Sequence, residues 1–483
     1  MAMRNFAHAL WRVLFMFAGA LVFVAYWQGL GAEQGEKELW PEERPISPHD
    51  RELTKRMLTE VHRQLKASYY DPTFRGMDVD ARFQTYLQQL ERAGSLGKSF
   101  LIINEFLSGI GDGHSFFVPP GAGYRYDSGY RMAMIGEQCF ITGVRPGSDA
   151  ERKLHPGDQV LSVDGQTLKR RDFWGLNYAF RVLAPAPVTD LALRGAGGVS
   201  RREGVVTRRR MLGGAGLVTN KHGCGDCFAY AVGFEEMQLL LRSLTVENGD
   251  VILWKMPRFH EDGAALYALM GRARRHKALI LDLRDNPGVP EDVLKTLGAG
   301  LNTWFLPASV ESPGGLFPQL RFMVGSLFDH DVRIGRKTTR GKGEDIVARS
   351  HGRGGFTGQL FVLVNSGTAF DAEVFARLVQ LENRGTIVGD LTAGSVMNSR
   401  CEELFLFNPV SFSEACIADG EIVMADGTSL EGVGVTPDVL VLPAAADLAA
   451  ARDPVLARAA ELAGAKLDPA AAGKMFPLGW APF

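Results

Sequence analysis

Apolar residues recur three and four apart in LTKRMLTEVHRQLKASYY and ARFQTYLQQLERA, and SFLIINEFLSGI continues the pattern to Gly109 and Gly111. This spacing predicts a small helical bundle over residues 51–110. From 128 to 200 the pattern changes to short strand-like runs broken by turns. From about 245 to 442 buried-strand runs (VILWKMP, ALILDLR, GQLFVLVN, GTIVGD) alternate with amphipathic helical ones (GAALYALMGRARR, EDVLKTLGAGL, AEVFARLVQLEN). That alternation predicts an α/β core with parallel strands inside a chain that is α+β overall. The tail from 443 is Ala-rich and helical in pattern, and is expected to pack on the core or fray.

Punctuation divides the chain further. Residues 33–50, rich in Pro and charge, read as a linker. Residues 201–244, with seven glycines and the run Arg208-Arg209-Arg210, read as a flexible insertion with a solvated basic face. Arg4 and Arg12 precede the apolar run VLFMFAGALVFVAYW, which is followed by Gly29, Gly31 and Ala32. This is the form of a signal peptide. The run is shorter than the about 20 residues a spanning helix needs. The segment 1–32 is therefore read as a signal peptide, with an uncleaved N-terminal anchor as the alternative, and the remainder is expected outside the cytoplasm.

Composition adds little beyond exclusion. Apolar residues make up 46% and charged residues 22%, ordinary for a chain of 483 residues that buries a core. A net charge of −2 argues against nucleic acid as a partner. The five cysteines fit an oxidising compartment. Cys401 and Cys416 flank two strand-like runs and are disulfide candidates. Cys224 and Cys227 form a single CxxC, read as a local disulfide or a reduced pair because zinc needs further ligands. Cys139 is left over and is expected to be buried. No metal or organic cofactor is implied.

The segment ITGVRPGSDAERKLHPGDQVLSVDGQTL resembles the second half of a PDZ domain, with a tight hairpin turn at Asp164-Gly165. The resemblance implies a PDZ-like domain over 126–200, a protein or peptide ligand added to a sheet edge, and Gly157 and Asp158 near that ligand. Further segments match another family in order: LSGIGDGHSFF, ALILDLRDNPG, LFVLVNSGTAFDAEVFA, GTIVGDLTAG and LEGVGVTPDVLV. Over residues 50–445 the chain resembles the C-terminal-processing (tail-specific) and tricorn-core serine peptidases. That resemblance implies a helical domain over 51–125, a peptidase core of the ClpP/crotonase-like type over 245–445, and a tail over 446–483.

Serine peptidase chemistry needs a nucleophile, a base, a group that orients the base, and oxyanion donors. By resemblance His114 is the base position and Glu431 the orienting carboxylate; read alone, each is equally an ordinary structural residue. The family's nucleophile falls on Phe370, between Asn365 and Glu373, which match. Phenylalanine has no nucleophilic atom. Asp371 follows, read as a helix N-cap or, through its backbone N–H, an oxyanion donor. Gly288 belongs to the same presumed oxyanion region, with Val289 in place of a second glycine. The lysine of the family's Ser–Lys branch falls on Ser395. Ser366 and Thr368 are nearby hydroxyls, displaced from position 370. Three functions remain open at this point: a serine peptidase acting on extracytoplasmic polypeptides, a peptide-binding relative that does not cut, and a structural protein of the cell envelope.

Overall fold

The computed structural model describes residues 40–480 apart from 42, 121–123, 212–243, 260–262, 289–317, 353–354, 405–412 and 478. The N-terminal segment 1–32, Cys224, Cys227, Val289 and the run EDVLKTLGAGL lie outside the described residues. Among those described, no helix is long and apolar enough to cross a membrane.

Three capped helices open the described chain. Helix α1 (Pro48–Ser68) starts on Ser47, whose hydroxyl accepts from the Asp50 amide, with proline at the first helical position. Helix α2 (Val79–Glu91) is capped by Asp78 and α3 (Leu96–Ser108) by Ser95. Because α1 begins at Pro48, the linker reading of 33–50 is three residues too long. Met57, Leu58, Val61 and Leu65 of α1 share a core with α3 and with Phe117, Ala415 and Ile417. The last two lie on a strand far along the chain, so this bundle is not a separate body.

The β-rich part follows. A short strand β1 (Phe116–Val118) leaves the helices, and β2 (Tyr124–Asp127) comes next. Strands β3 (Tyr130–Ile135), β4 (Gln138–Val144), β5 (Gln159–Val163), β6 (Val188–Arg194) and β7 (Ser200–Val206) form a five-stranded sheet in the order 3-4-5-6-7. Helices α4 (Asp149–Lys153) and α5 (Phe173–Tyr178) pack with it. Asp164 and Gly165 both have positive φ, as a tight two-residue hairpin turn requires. A boundary at 200 is wrong: β7 completes the sheet through Val206, and β8 (Arg208–Met211) pairs with β2. The arginine run is thus a strand, with Arg208, Arg209 and Arg210 opposite Asp127, Tyr126 and Arg125. Sequence reading missed it because glycine and arginine pairs mask the alternation of a short strand.

The core sheet runs β18-β15-β14-β11-β10-β9: Val439–Leu440, Thr386–Gly389, Gln359–Val364, Ala278–Asp282, Val251–Lys255 and Leu244–Asn248. All pairs are parallel except β9 with β10. Both faces are covered, which is why these strands read as unbroken apolar runs. Ile252, Trp254, Leu279, Leu281, Val362 and Val364 face helices α6 (Gly263–Ala273), α7 (Pro318–Leu327) and α8 (Asp371–Leu381). The alternate residues Val251, Leu253, Ile280, Phe361 and Leu363 face the tail. The tail therefore packs rather than frays: α9 (Ala445–Ala449) is followed by α10 (Pro454–Leu462), which buries Val455 and Leu456, and by α11 (Pro469–Ala472). A second sheet, β1-β17-β12-β13 with β16 on β17, joins core to helical bundle; its strands are Glu414–Met424 (β17), Val332–Thr339 (β12), Lys342–Ala348 (β13) and Asn398–Glu403 (β16). Cys401 and Cys416 face each other across β16 and β17 and are disulfide-bonded. Cys139 is buried as a thiol.

One buried ionic network fastens the tail. Arg284 makes two hydrogen bonds to Asp453, the N-cap of α10, and two to Asp282 at the end of β11. Lys255 Nζ lies 3.4 Å from Asp282 as well. Burial alone would raise the Asp282 carboxyl, but the Arg284 and Lys255 charges outweigh it and hold it well below the usual range. Arg284→Met should destabilise the protein by about 3–5 kcal/mol, because it leaves Asp282 buried without its main partner. Urea unfolding of parent and variant measures this; a loss under about 1 kcal/mol would show that the network adds little.

Candidate active site

The turn from β14 into α8 is the centre of the site. Asn365 organises it: its Oδ1 accepts from the amides of Asp285 and Gly367, and its Nδ2 donates to Asp285 Oδ1. The turn ends at Phe370, with φ 50° and ψ −117°. Positive φ at a bulky residue is uncommon and costs about 1–3 kcal/mol. Sharp strand-to-helix turns of this kind carry the nucleophile in other hydrolases. Three backbone bonds hold it here. Ala369 N donates to Asn286 O, Phe370 N to Ser395 O, and Ala393 N to Thr368 O. Gly288 presses on the same turn: a β-carbon there would lie 2.6 Å from Phe370 Cβ. The phenyl ring points into the core with Val374, Phe375 and Leu430, leaving Phe370 only 4% exposed.

His114 and Glu431 meet at this turn. His114 sits in the turn between α3 and β1, and its ring centroid lies 5.9 Å from that of Phe370. Its Nε2 lies 3.5 Å from Ser395 Oγ. Its Nδ1 lies 3.7 Å from Glu431 Oε2, beyond hydrogen-bond reach, and has no hydrogen-bond partner. Glu431 spends its oxygens on backbone: Oε1 accepts from Gly113 N, and Oε2 from Val396 N and Met397 N. His114 and Glu431 side chains are 12% and 9% exposed. Thus His114, Phe370, Ser395 and Glu431, drawn from four distant segments, converge on one place.

Several sequence expectations change on contact with the geometry. Asp371 is not the N-cap of α8. Phe370 holds that place without a side-chain bond, because its positive φ turns the chain into the helix one residue earlier than expected. Asp371 is buried, Oδ1 has no hydrogen-bond partner, and burial pushes its carboxyl well above the usual range. The Gly288 amide is already committed to Asn286 Oδ1 at 2.9 Å. Ser366 and Thr368 are no substitutes for a nucleophile: both are buried, and their hydroxyls donate to Met134 O and Leu283 O. Gly157 and Asp158 are engaged within the protein. Gly157 abuts α9, where a β-carbon would lie 2.3 Å from Ala445 O, and buried Asp158 is paired with Arg201. A small cleft of about 20 Å³ opens elsewhere on the PDZ-like sheet, between the start of β3 and the segment after α5. Tyr130, Met132, Phe180 and Arg181 line it. No motif marks these residues, since they come together only when helix and sheet edge pack.

Glu373 was legible only as a matching residue. It is buried in the first turn of α8 and gathers the loop after β15: Thr392 Oγ1 and Gly394 N donate to Oε1, and Ser395 N to Oε2. Burial raises its carboxyl from the ordinary 4.5 to about 7, against those three hydrogen bonds. A raised folded-state value means this contribution to stability is full below the unfolded value and lost as pH rises through about 7. Relative to Glu373→Gln, which does not titrate, the parent's unfolding free energy should fall by about 3 kcal/mol over that window. Urea denaturation at several pH values measures the difference; a parent-minus-variant gap that does not change with pH would refute the raised affinity.

Comparisons with known proteins agree with the fold and with the order of segments. Residues 51–108 match the Tricorn protease C1 domain, 122–171 the PDZ domain and 311–441 Peptidase family S41. A tail-specific protease of Haemophilus influenzae is 26% identical over 322 residues, covering 62% of this chain and 39% of its own. The chloroplastic C-terminal processing peptidase of Tetradesmus obliquus is 22% identical, covering 80% of this chain and 77% of its own. A probable CtpA-like serine protease of Staphylococcus aureus is 22% identical, and the chain spans 52% of its length. The chain thus spans 39% to 77% of these relatives. Among solved structures, mature CPAF superposes with a TM-score of 0.56 at 14% identity, covering 83% of this chain and 94% of that one. The C1, PDZ and S41 matches thus follow one another along the chain in this order, and they make it similar to the C-terminal-processing and tricorn-type serine peptidases.

Proposed function

We propose that this protein binds polypeptides outside the cytoplasm and does not cut them through position 370. The observation that carries this reading is Phe370 itself. It holds the strained backbone of a nucleophile turn while its side chain is an apolar ring packed into the core. A phenyl ring offers no atom to attack a carbonyl and none to give a proton to His114. The PDZ-like part supports a polypeptide seat. Among the described residues strand β3 is an edge of its sheet, and the cleft beside Tyr130, Phe180 and Arg181 lies next to it. That edge is partly used already, since Met134 O accepts from Ser366 and Tyr130 O from Arg181. A bound segment therefore meets this edge at Met132, between those two contacts. The basic, apolar, small-residue order of residues 1–32 supports the extracytoplasmic location.

The retained His114 and Glu431 favour an active peptidase as the second reading. One substitution separates the two. Phe370→Ser puts a hydroxyl on the turn beside His114, and should raise hydrolysis of an unfolded protein such as casein at least ~10-fold over the parent, a small part of what a positioned base supplies. The parent itself should bind the casein, measured by fluorescence anisotropy, without releasing fragments. Proteolysis by the parent at the rate of Phe370→Ser would overturn the proposal.

A further inference from the structure

The residues around His114 contain a hydroxyl in the right place for chemistry, though not at the position the family resemblance points to. Ser395 Oγ lies 3.5 Å from His114 Nε2, while Glu431 lies on the opposite, Nδ1 side of the imidazole at 3.7 Å. Hydroxyl on one ring nitrogen and carboxylate on the other is the order of a Ser–His–acid triad. Such contacts are often long without a bound substrate. The carboxylate also fixes the frame. Glu431 binds the amide of Gly113, next to the histidine, and those of Val396 and Met397, next to the serine. Glu373 binds the Ser395 amide from the other side. Base and hydroxyl are therefore held to one scaffold by two carboxylates.

Neighbouring hydroxyls do not compete. Those of Ser115, Ser366, Thr368 and Thr392 are buried and donate to Asp112, Met134, Leu283 and Glu373. Ser395 is half-buried and has the imidazole as its partner.

We propose that Ser395 is a nucleophile in its own right, acting with His114 on activated acyl groups. Its Oγ attacks the carbonyl carbon of an ester as the Oγ proton passes to His114 Nε2. The carbon–oxygen bond to the leaving alcohol then breaks, and His114 returns the proton to that alcohol. Water, deprotonated by His114, cleaves the acyl–serine ester to release the acid and restore Ser395. The same site predicts its own limit. The amides of Gly113, Gly394, Ser395, Val396 and Met397 are all committed to Glu431 or Glu373, so they are not poised for an oxyanion. Each missing oxyanion donor costs roughly 10²–10³ in rate. Substrates with good leaving groups, such as aryl esters, are thus within reach and ordinary peptide bonds are not. This activity goes beyond polypeptide binding and does not depend on it.

The test is labelling of the full chain with a fluorophosphonate, followed by peptide mapping. The serine oxygen displaces fluoride from phosphorus in that reaction, with His114 taking the proton. The label should map to Ser395, be absent in Ser395→Ala, and form at least ~100-fold more slowly in His114→Ala. 4-Nitrophenyl acetate hydrolysis by the parent should fall in parallel in both variants, with circular dichroism confirming that each is folded. No label on the parent, or a label mapping to another residue, overturns the proposal. Casein binding is read separately on Ser395→Ala: its retention with loss of label separates this activity from the polypeptide-binding reading, and failure of the parent to bind casein sinks that reading alone.

Discussion

The carboxylate of Glu373 is the constraint on which the site depends. It is buried in the first turn of α8, yet it reaches across to Thr392, Gly394 and Ser395 on a different loop. A buried carboxylate is costly unless its oxygens are filled, and these three donors fill them. Through that contact the β15 loop is drawn against the β14–α8 turn. Ser395 then accepts from the Phe370 amide, and Glu431 takes the amides that follow Ser395. Removing the carboxylate would unpair donors on the loop that carries one side of the site.

That clasp also explains how an unfavourable backbone survives at Phe370. A bulky residue at positive φ persists only where its surroundings over-determine it. Here backbone bonds from Ala369, Phe370 and Ala393, the close approach of Gly288 and the apolar packing of the ring act together. The turn has a shape suited to presenting a side chain toward His114, while the Phe370 ring itself packs into the core.

The PDZ-like part is tied to the same loops. Arg170 and the Gly136 amide both bind buried Asp390 at the end of β15, and Ser366 binds Met134. A ligand on the β3 edge would therefore pull on Ser366, four residues before Phe370, and on Asp390, one residue beyond β15. The tail completes the frame from the far face, through Arg284 and Asp453.

Much of this was readable in the sequence. The periodicity of α1–α3, the unbroken apolar runs of β10, β11 and β14, and the Asp164-Gly165 turn follow from local side-chain patterns. Such patterns survive any tertiary context that buries the same face. The family resemblance and the phenylalanine at 370 were equally legible, since they are matters of residue identity in order. Strand β8, the place of Asp371, the roles of Asp158 and Gly157, and the meeting of Ser395 with His114 were not. Each depends on which atoms lie within a few ångströms of one another after distant segments pack: His114 and Ser395 are 281 positions apart. The sequence by itself determined the elements and placed a phenylalanine at position 370. Only the tertiary structure decided which hydroxyl stands beside the histidine, because hydrogen bonds act over about 3 Å and chain order does not record distance.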